Sequence, residues 1–359
     1  MYPCARKERS LPTQWIYHPL MGASSTEGGL VIDLSRYFKH ARVDPERKIG
    51  YVGGGPIWEN VDKATIEHGR GMVNHIGAAG QRLSLCYGLT LGNVLEATVV
   101  LADGLVVKAS KSKNNDLLWA FALKALTEVT SSVGWWDDPG NKSPQIQTAV
   151  VGPNGKPVML VIFFYNGPRK LFDIGPIDDQ VREIPYEVAN ALQVPTRSHI
   201  TVMVSISKVL RIASPNTVLK ALDRVAELIA RPGPNPMVPF ECFPLHQITA
   251  KHSEETPFRH VAAPFMLVNA LWVEDTPENL KRGREMVYEL IGLIKRSNPQ
   301  LSVEQQAGYA NQDDETVSKD AADKARLVFG KHYAHLQEVK KKYDPDQVYH
   351  QWVPIIPAP

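Results

Sequence analysis

The stretch Gly22-Ala-Ser-Ser-Thr-Glu-Gly-Gly-Leu-Val-Ile-Asp-Leu-Ser35 decides how the rest of the chain reads, together with Tyr51-Val-Gly-Gly-Gly55 and Val99-Val-Leu-Ala-Asp-Gly-Leu-Val-Val107. In each, glycines and other small residues turn the chain into or out of a short apolar run. A backbone that must approach a dinucleotide closely needs such turns, because no Cβ atoms then stand in the way. The first part of the chain is therefore expected to be a sheet whose turns cradle a dinucleotide.

Working outward, residues 30–34, 49–52, 97–101 and 105–109 are expected strands, being short apolar runs bounded by Gly, Asp and Pro. Ile57, Val61, Ala64 and Ile66 fall near helical period after Pro56, and Gly69 follows, which predicts an amphipathic helix over 57–68. Asp103-Gly104 between apolar strands predicts a tight hairpin. Asn115 opens a further helical stretch through Phe121.

Every periodicity breaks over 134–144, so a second unit is expected to begin there. It opens with a hairpin: a strand at 145–151, a turn at 152–155 and a strand at 158–165, whose nearly continuous apolar run predicts burial on both faces. Helices are expected over 217–230, with Leu219, Leu222, Val225, Ala226 and Ile229 on one face, and over 277–296, with Leu280, Met286, Leu290 and Leu293. Strands at 200–209, 238–242 and 265–272 separate them, with no Rossmann glycine motif, which suggests an antiparallel sheet with helices on one side. A last helix over 319–341 should end in the solvated cations Lys340 to Lys342, stopped by Asp344-Pro345.

The 359 residues are 43% hydrophobic and 22% charged, the composition of a soluble protein able to bury more than one core. The net charge of +2 is spread along the chain without a clustered basic face, which argues against a nucleic-acid partner. Cys4, Cys86 and Cys242 are widely and irregularly spaced, so neither a disulfide framework nor a CxxC metal site is encoded and a reducing compartment is expected. His246, His252 and His260 have no i, i+4 pairing or carboxylate partner that would make a metal site. Asp137 and Asp138 beside Trp135 and Trp136 read as a solvated loop rather than a paired-carboxylate site. No Gly-x-Ser-x-Gly elbow supports a hydrolase. With no secretory pattern in residues 1–9 and no segment long enough to span a bilayer, the expectation is a cytoplasmic protein without a membrane partner.

In order and kind, these segments resemble the FAD-linked oxidases of the vanillyl-alcohol oxidase and berberine-bridge-enzyme type, in the branch similar to 6-hydroxynicotine oxidase. The resemblance runs from about Trp15 to Pro357. It is carried by residues 22–29, Asn74-His-Ile-Gly77, Phe164-Tyr-Asn-Gly167, Tyr309-Ala-Asn311 and above all Lys342-Tyr-Asp-Pro-Asp-Gln-Val-Tyr349. It implies an α+β, two-domain FAD-linked oxidase (PCMH-type) fold with a reduced flavin domain and an antiparallel-sheet substrate domain. Residues 1–134 would form an incomplete FAD-binding domain and 135–305 the substrate domain. Residues 306–359 would be a berberine-bridge-like segment that returns to the flavin domain.

For the cofactor, the resemblance implies contacts from His18, Gly22, Ala23, Ser24, Ser25, Asn74, His75, Gly77, Val99 and Asn311. His18 stands where many relatives carry the histidine that bonds covalently to the flavin. For catalysis it implies Tyr309, framing the ring with Asn311, and Tyr165, assisting proton removal. Alternation places Tyr309 and Asn311 on one face of an extended segment.

The chain departs from the family at flavin-contacting segments. Ile16 and Tyr17 replace the glycines before His18; Gly77-Ala-Ala-Gly80 passes directly to Gln81 without the family's glycine-rich stretch; and no Asn-Phe-Gly turn follows Leu117-Leu-Trp119. Each loss removes backbone amides that would cradle phosphate, so weak FAD binding is expected. Two functions follow: FAD-linked oxidation of a small organic molecule in secondary metabolism, or, in a flavin-free descendant, isomerisation or cyclisation in the retained pocket.

Overall fold

The computed structural model describes residues 32–69, 93–121, 145–151, 156–163, 204–211, 215–231, 235–238, 240–242, 257, 265–272, 276–302, 321–350 and 354–359. Strands β1 (Ala41–Asp44) and β2 (Ile49–Val52) pair antiparallel, from Ala41↔Val52 to Asp44↔Ile49. The pairing continues past β2, because the Gly53 amide donates to His40 O at 2.9 Å and the Gly55 amide to Phe38 O at 3.0 Å. A Cβ on Gly53 would lie 2.0 Å from Phe38 O, and one on Gly55 would lie 2.2 Å from Leu34 O. These two glycines thus let the chain lie against its own backbone, which corrects the expectation that residues 51–55 are small in order to admit a dinucleotide.

The predicted strand over 30–34 is also corrected in its described part. Residues 32–34 are not strand: the Asp33 carboxylate accepts the Ser35 amide at 2.8 Å, and a turn begins at Leu34. Such a side-chain bond offers the backbone an alternative to a ladder.

Helix α1 (Trp58–Ile66) follows Pro56 as predicted, buries Val61 and Thr65, and is closed by Gly69 at φ +61, whose amide donates to Ile66 O at 2.8 Å. Strands β3 (Glu96–Val100) and β4 (Val106–Ser110) form the predicted hairpin in the register Val99↔Val107. Its turn has Gly104 at φ +86, with the Leu105 amide held by Asp103 Oδ1 at 2.9 Å. Alternation along both strands turns Ala97, Val99, Val107 and Ala109 inward, while Glu96 and Lys108 pair at 2.6 Å on the outer face. The short helix α2 (Asn115–Phe121) lays Leu117 and Leu118 on the inner face.

The larger sheet is six-stranded and antiparallel. Its strands are β5 (Gln145–Val151), β6 (Pro157–Phe163), β7 (Val204–Arg211), β8 (Asn235–Met237), β9 (Phe240–Cys242) and β10 (Phe265–Trp272). The order is β6-β5-β9-β10-β7, with β8 also on β10. Helices α3 (Pro215–Ile229) and α4 (Pro277–Arg296) share one apolar cluster with Val268 and Ala270, which are two residues apart on β10 and so face the same side. The predicted sheet with helices on one side is the observed one. Thr276 caps α4 by accepting the Asn279 amide at 3.2 Å, and Pro277 occupies its first turn.

Three expectations need correction. Strand β6 lies at the end of the described strand order and Leu160 is 45% exposed, so the apolar run is not buried on both faces. On α3 the buried residues are Val218, Ala221, Leu222, Val225, Leu228 and Ile229, whereas Leu219 is 50% exposed, so the inward face is rotated from the one expected. The final helix is two: α5 (Ala321–Phe329) and α6 (Tyr333–Tyr343), separated by a 3-10 turn at Gly330–His332 in which Gly330 adopts φ +51.

Candidate functional site

Of the residues assigned from sequence, Val99 lies among the described residues; His18, Gly22, Ala23, Ser24, Ser25, Asn74, His75, Gly77, Tyr165, Tyr309 and Asn311 lie outside them. The turn at 152–155, Trp135 to Asp138, and His246, His252 and His260 lie outside them too, apart from strand residues already given. Val99 is half-buried on the inner face of the β3–β4 hairpin, packed with Ala109, Leu117 and Leu118. Tyr343, the last residue of α6, joins the same cluster.

A polar network surrounds that contact. Asp116, in the first turn of α2, accepts Lys342 Nζ on Oδ2 at 2.7 Å and the Tyr343 hydroxyl on Oδ1 at 2.9 Å. Asn114 stands beside it at φ +50, a left-handed conformation that asparagine tolerates, and donates its amide to Lys108 O on β4 at 2.9 Å. Its Oδ1 lies 3.4 Å from the Tyr343 hydroxyl. Burial pushes the Asp116 carboxyl up, but bonds from Lys342, Tyr343 and the Leu117 amide outweigh it and hold the carboxyl below its ordinary value. The same contact raises Lys342 above the ordinary lysine range.

A second carboxylate organises the turn after α6. Buried Asp344 accepts the amides of Val348 at 2.7 Å and Tyr349 at 3.0 Å, and pairs with Lys340, which also donates to Tyr349 O at 2.7 Å. Burial acts to raise Asp344, and these donors win and lower it. Lys341 donates to Pro359 O. The lysine run is therefore not the purely solvated helix end that the sequence suggested: each of its members has a partner. Further along, Trp119 stacks on His335 with centroids 4.3 Å apart and meets His332 edge-on at 5.7 Å, while Phe329, Tyr333 and Leu336 close an apolar cluster over Trp119 and Ala120. Sequence reasoning missed Asp116 and Asn114, and their only local signal was an Asn-Asp pair opening a helix.

Among the described residues, no group of His, Cys, Asp and Glu is placed to hold a metal ion, and no helix is long and apolar enough to cross a membrane.

Comparison with known proteins places this architecture. Residues 17–110 match the family described as "FAD binding domain", and residues 308–355 match the family described as "Berberine and berberine like". The FAD-linked oxidoreductase pgmH of Aspergillus terreus is 23% identical over 416 residues, spanning 95% of this chain and 82% of its own. The xylooligosaccharide oxidase of Thermothelomyces thermophilus is 32% identical over 111 residues, 28% of this chain and 22% of its own. Among solved structures, 6-hydroxy-D-nicotine oxidase from Arthrobacter nicotinovorans superposes with a TM-score of 0.75 at 22% identity, covering 95% of this chain and 85% of its own. A variant of berberine bridge enzyme does so with a TM-score of 0.70 at 18% identity, covering 95% and 83%.

A small flavin-type framework joined by its C-terminal helices, beside an antiparallel sheet with helices on one face, is the PCMH-type oxidase fold. The chain shares that fold and carries an FAD-binding match and a berberine-like match in one sequence, and FAD is the cofactor that the first match supports. In the described part of the FAD-matched segment, β1, β2, helix α1 and the hairpin bearing Val99 are formed. The alignment with pgmH is longer, at 416 positions, than the 359 residues of this chain, so stretches of that relative have no counterpart here.

Proposed function

We propose that the chain is an FAD-linked oxidoreductase that oxidises a small organic molecule in secondary metabolism. One observation carries the reading: the FAD-matched and berberine-like segments, far apart in sequence, meet in a single apolar cluster, where Val99, Val107 and Tyr343 all pack against Ala109, Leu117 and Leu118. The names of two relatives, FAD-linked oxidoreductase pgmH and bifunctional solanapyrone synthase, support the substrate class.

The domain plan of 1–134, 135–305 and 306–359 is part of the proposal, as is a cytoplasmic location. His18, Gly22 to Ser25, Asn74, His75, Gly77, Val99 and Asn311 would hold FAD, whose chemistry when bound is to accept a hydride and pass the electrons to oxygen. Tyr309 and Asn311 would frame the flavin ring, and Tyr165 would assist removal of a proton from the substrate as its carbon loses a hydride. The antiparallel-sheet domain shapes the pocket and keeps water from the reacting carbon.

The test is the visible spectrum of the purified chain before and after incubation with excess FAD and removal of free flavin. A retained flavin band supports the oxidase, and one that survives denaturation assigns His18 as its covalent anchor. A colourless, folded protein overturns the reading. It would favour the flavin-free isomerase or cyclase, which the stretches missing relative to pgmH would then explain.

A further inference from the structure

A two-stranded sheet is marginally stable by itself and needs its apolar face covered. The inner face of the β3–β4 hairpin, the end of the FAD-matched segment, is covered by α2 and by Tyr343 of α6. Tyr343 comes from the berberine-like match, so the cover arrives from the far end of the chain. What fastens it is Asp116: one carboxylate oxygen takes the Lys342 ammonium and the other takes the Tyr343 hydroxyl, across 226 and 227 residues of sequence. Asn114 extends the network to the backbone of β4 through Lys108 O. Lys342 also sits 4.7 Å from the centre of the Tyr343 ring, so the ion pair and the ring contact form together.

We infer that Asp116 is a positioning residue for the flavin site, acting through Lys342 and Tyr343 to seat α6 on the FAD-matched hairpin. The inference rests on the proposed flavin function and deepens it. FAD affinity then depends on a carboxylate that lies outside both family matches, six residues beyond the end of the first. A ligand that needs the seated arrangement binds in proportion to the fraction of chains that are seated, so loosening the clasp lowers apparent affinity without touching a cofactor contact.

The test uses the full-length chain. FAD dissociation constants are measured for the wild type, Asp116→Asn, Lys342→Met, the Asp116→Asn/Lys342→Met pair and the reciprocal Asp116→Lys/Lys342→Asp swap. Amide hydrogen exchange is followed in parallel. Asp116→Asn and Lys342→Met are each expected to weaken FAD binding by about tenfold, the scale of a bond to a charged group. The double variant should be no weaker than either single one, and the swap should recover most of the loss. Exchange should quicken in residues 333–343 while residues 277–296 keep wild-type protection, a split that general destabilisation would not produce.

Tyr343→Phe keeps the ring in its cluster and removes the hydroxyl, so it should fold even if Asp116→Asn does not, with a loss of about threefold. Wild-type FAD affinity in Asp116→Asn or Tyr343→Phe, or unaltered exchange in 333–343, overturns the inference. A wild type that takes up no FAD overturns the flavin reading instead. In that case quickened exchange in 333–343 alone still upholds the seating role of Asp116, and unaltered exchange refutes it.

Discussion

Gly53 and Gly55 differ from Gly69 in what a methyl group would meet. At the first two, the carbonyls of Phe38 and Leu34 already occupy the space, at 2.0 and 2.2 Å. At Gly69 nothing lies within 4 Å, and only φ +61 disfavours a side chain. Gly53→Ala or Gly55→Ala should therefore cost about 3 kcal/mol, by displacing backbone, and Gly69→Ala about 1 kcal/mol, the left-handed penalty alone. Urea unfolding of the three variants would show the difference, and equal costs would refute the packing argument.

Two carboxylates set the acid response at the same scale. Asp116 and Asp344 both titrate below their ordinary value of 3.8 in the folded chain. Such groups bind fewer protons when folded than when unfolded, so their contribution is complete above 3.8 and is lost as pH falls through the lower folded values. The stability of the wild type should therefore fall with acid only below about pH 4, and Asp344→Asn, weaker at pH 7, should converge on the wild type only as pH falls from 3.8 through the lower folded value. A constant gap between them across that range would show that Asp344 contributes through shape rather than charge.

At the scale of elements, α3 and α4 show what periodicity can and cannot decide. Leu290 is fully buried among α3, α4 and β10, so Leu290→Ala should cost about 3 kcal/mol. Leu219→Ala should stay within about 0.5 kcal/mol. Chemical denaturation of both variants tests the rotated face directly. The span Pro277–Arg296 was legible because Thr276, Pro277 and the apolar spacing all point to one helix with one start. On α3, apolar residues at 218, 219, 221, 222, 225, 226, 228 and 229 occupy too much of the circumference for spacing to choose a side. The sheet chooses, by offering Val268 and Ala270. The break in the last helix was illegible for another reason: a single glycine inside a helical pattern is usually tolerated, and only the packing of Phe329 and Tyr333 around Trp119 draws Gly330 to positive φ. The partner of Lys342 was illegible because no local pattern in 340–342 points to Asp116.

For the whole molecule, the oxidase fold and the FAD-binding and berberine-like matches were legible from short motifs, whereas the contacts that join those two segments were not, since they link distant stretches. If FAD binds the folded chain alone, its concentration must appear in the stability of the whole. At a hundred times its dissociation constant FAD should add about 2.7 kcal/mol, seen as a melting temperature that climbs with FAD concentration. A melting temperature independent of FAD would match a colourless protein and count against the oxidase.

The span of 226 residues between Asp116 and Lys342 also has a consequence during synthesis. At about 5–20 residues per second, Asp116 leaves the ribosome roughly 10–45 seconds before its partner exists. Throughout that interval the inner face of the β3–β4 hairpin lacks Tyr343, and Trp119 lacks both His332 and His335, so the first-made part of the protein waits in an incomplete state while the helix-covered sheet folds ahead of it. The nascent chain would then be a chaperone client at its N-terminal portion. Chains stalled before residue 333 should be cut by protease near Leu117, and chains released with the final helix should resist.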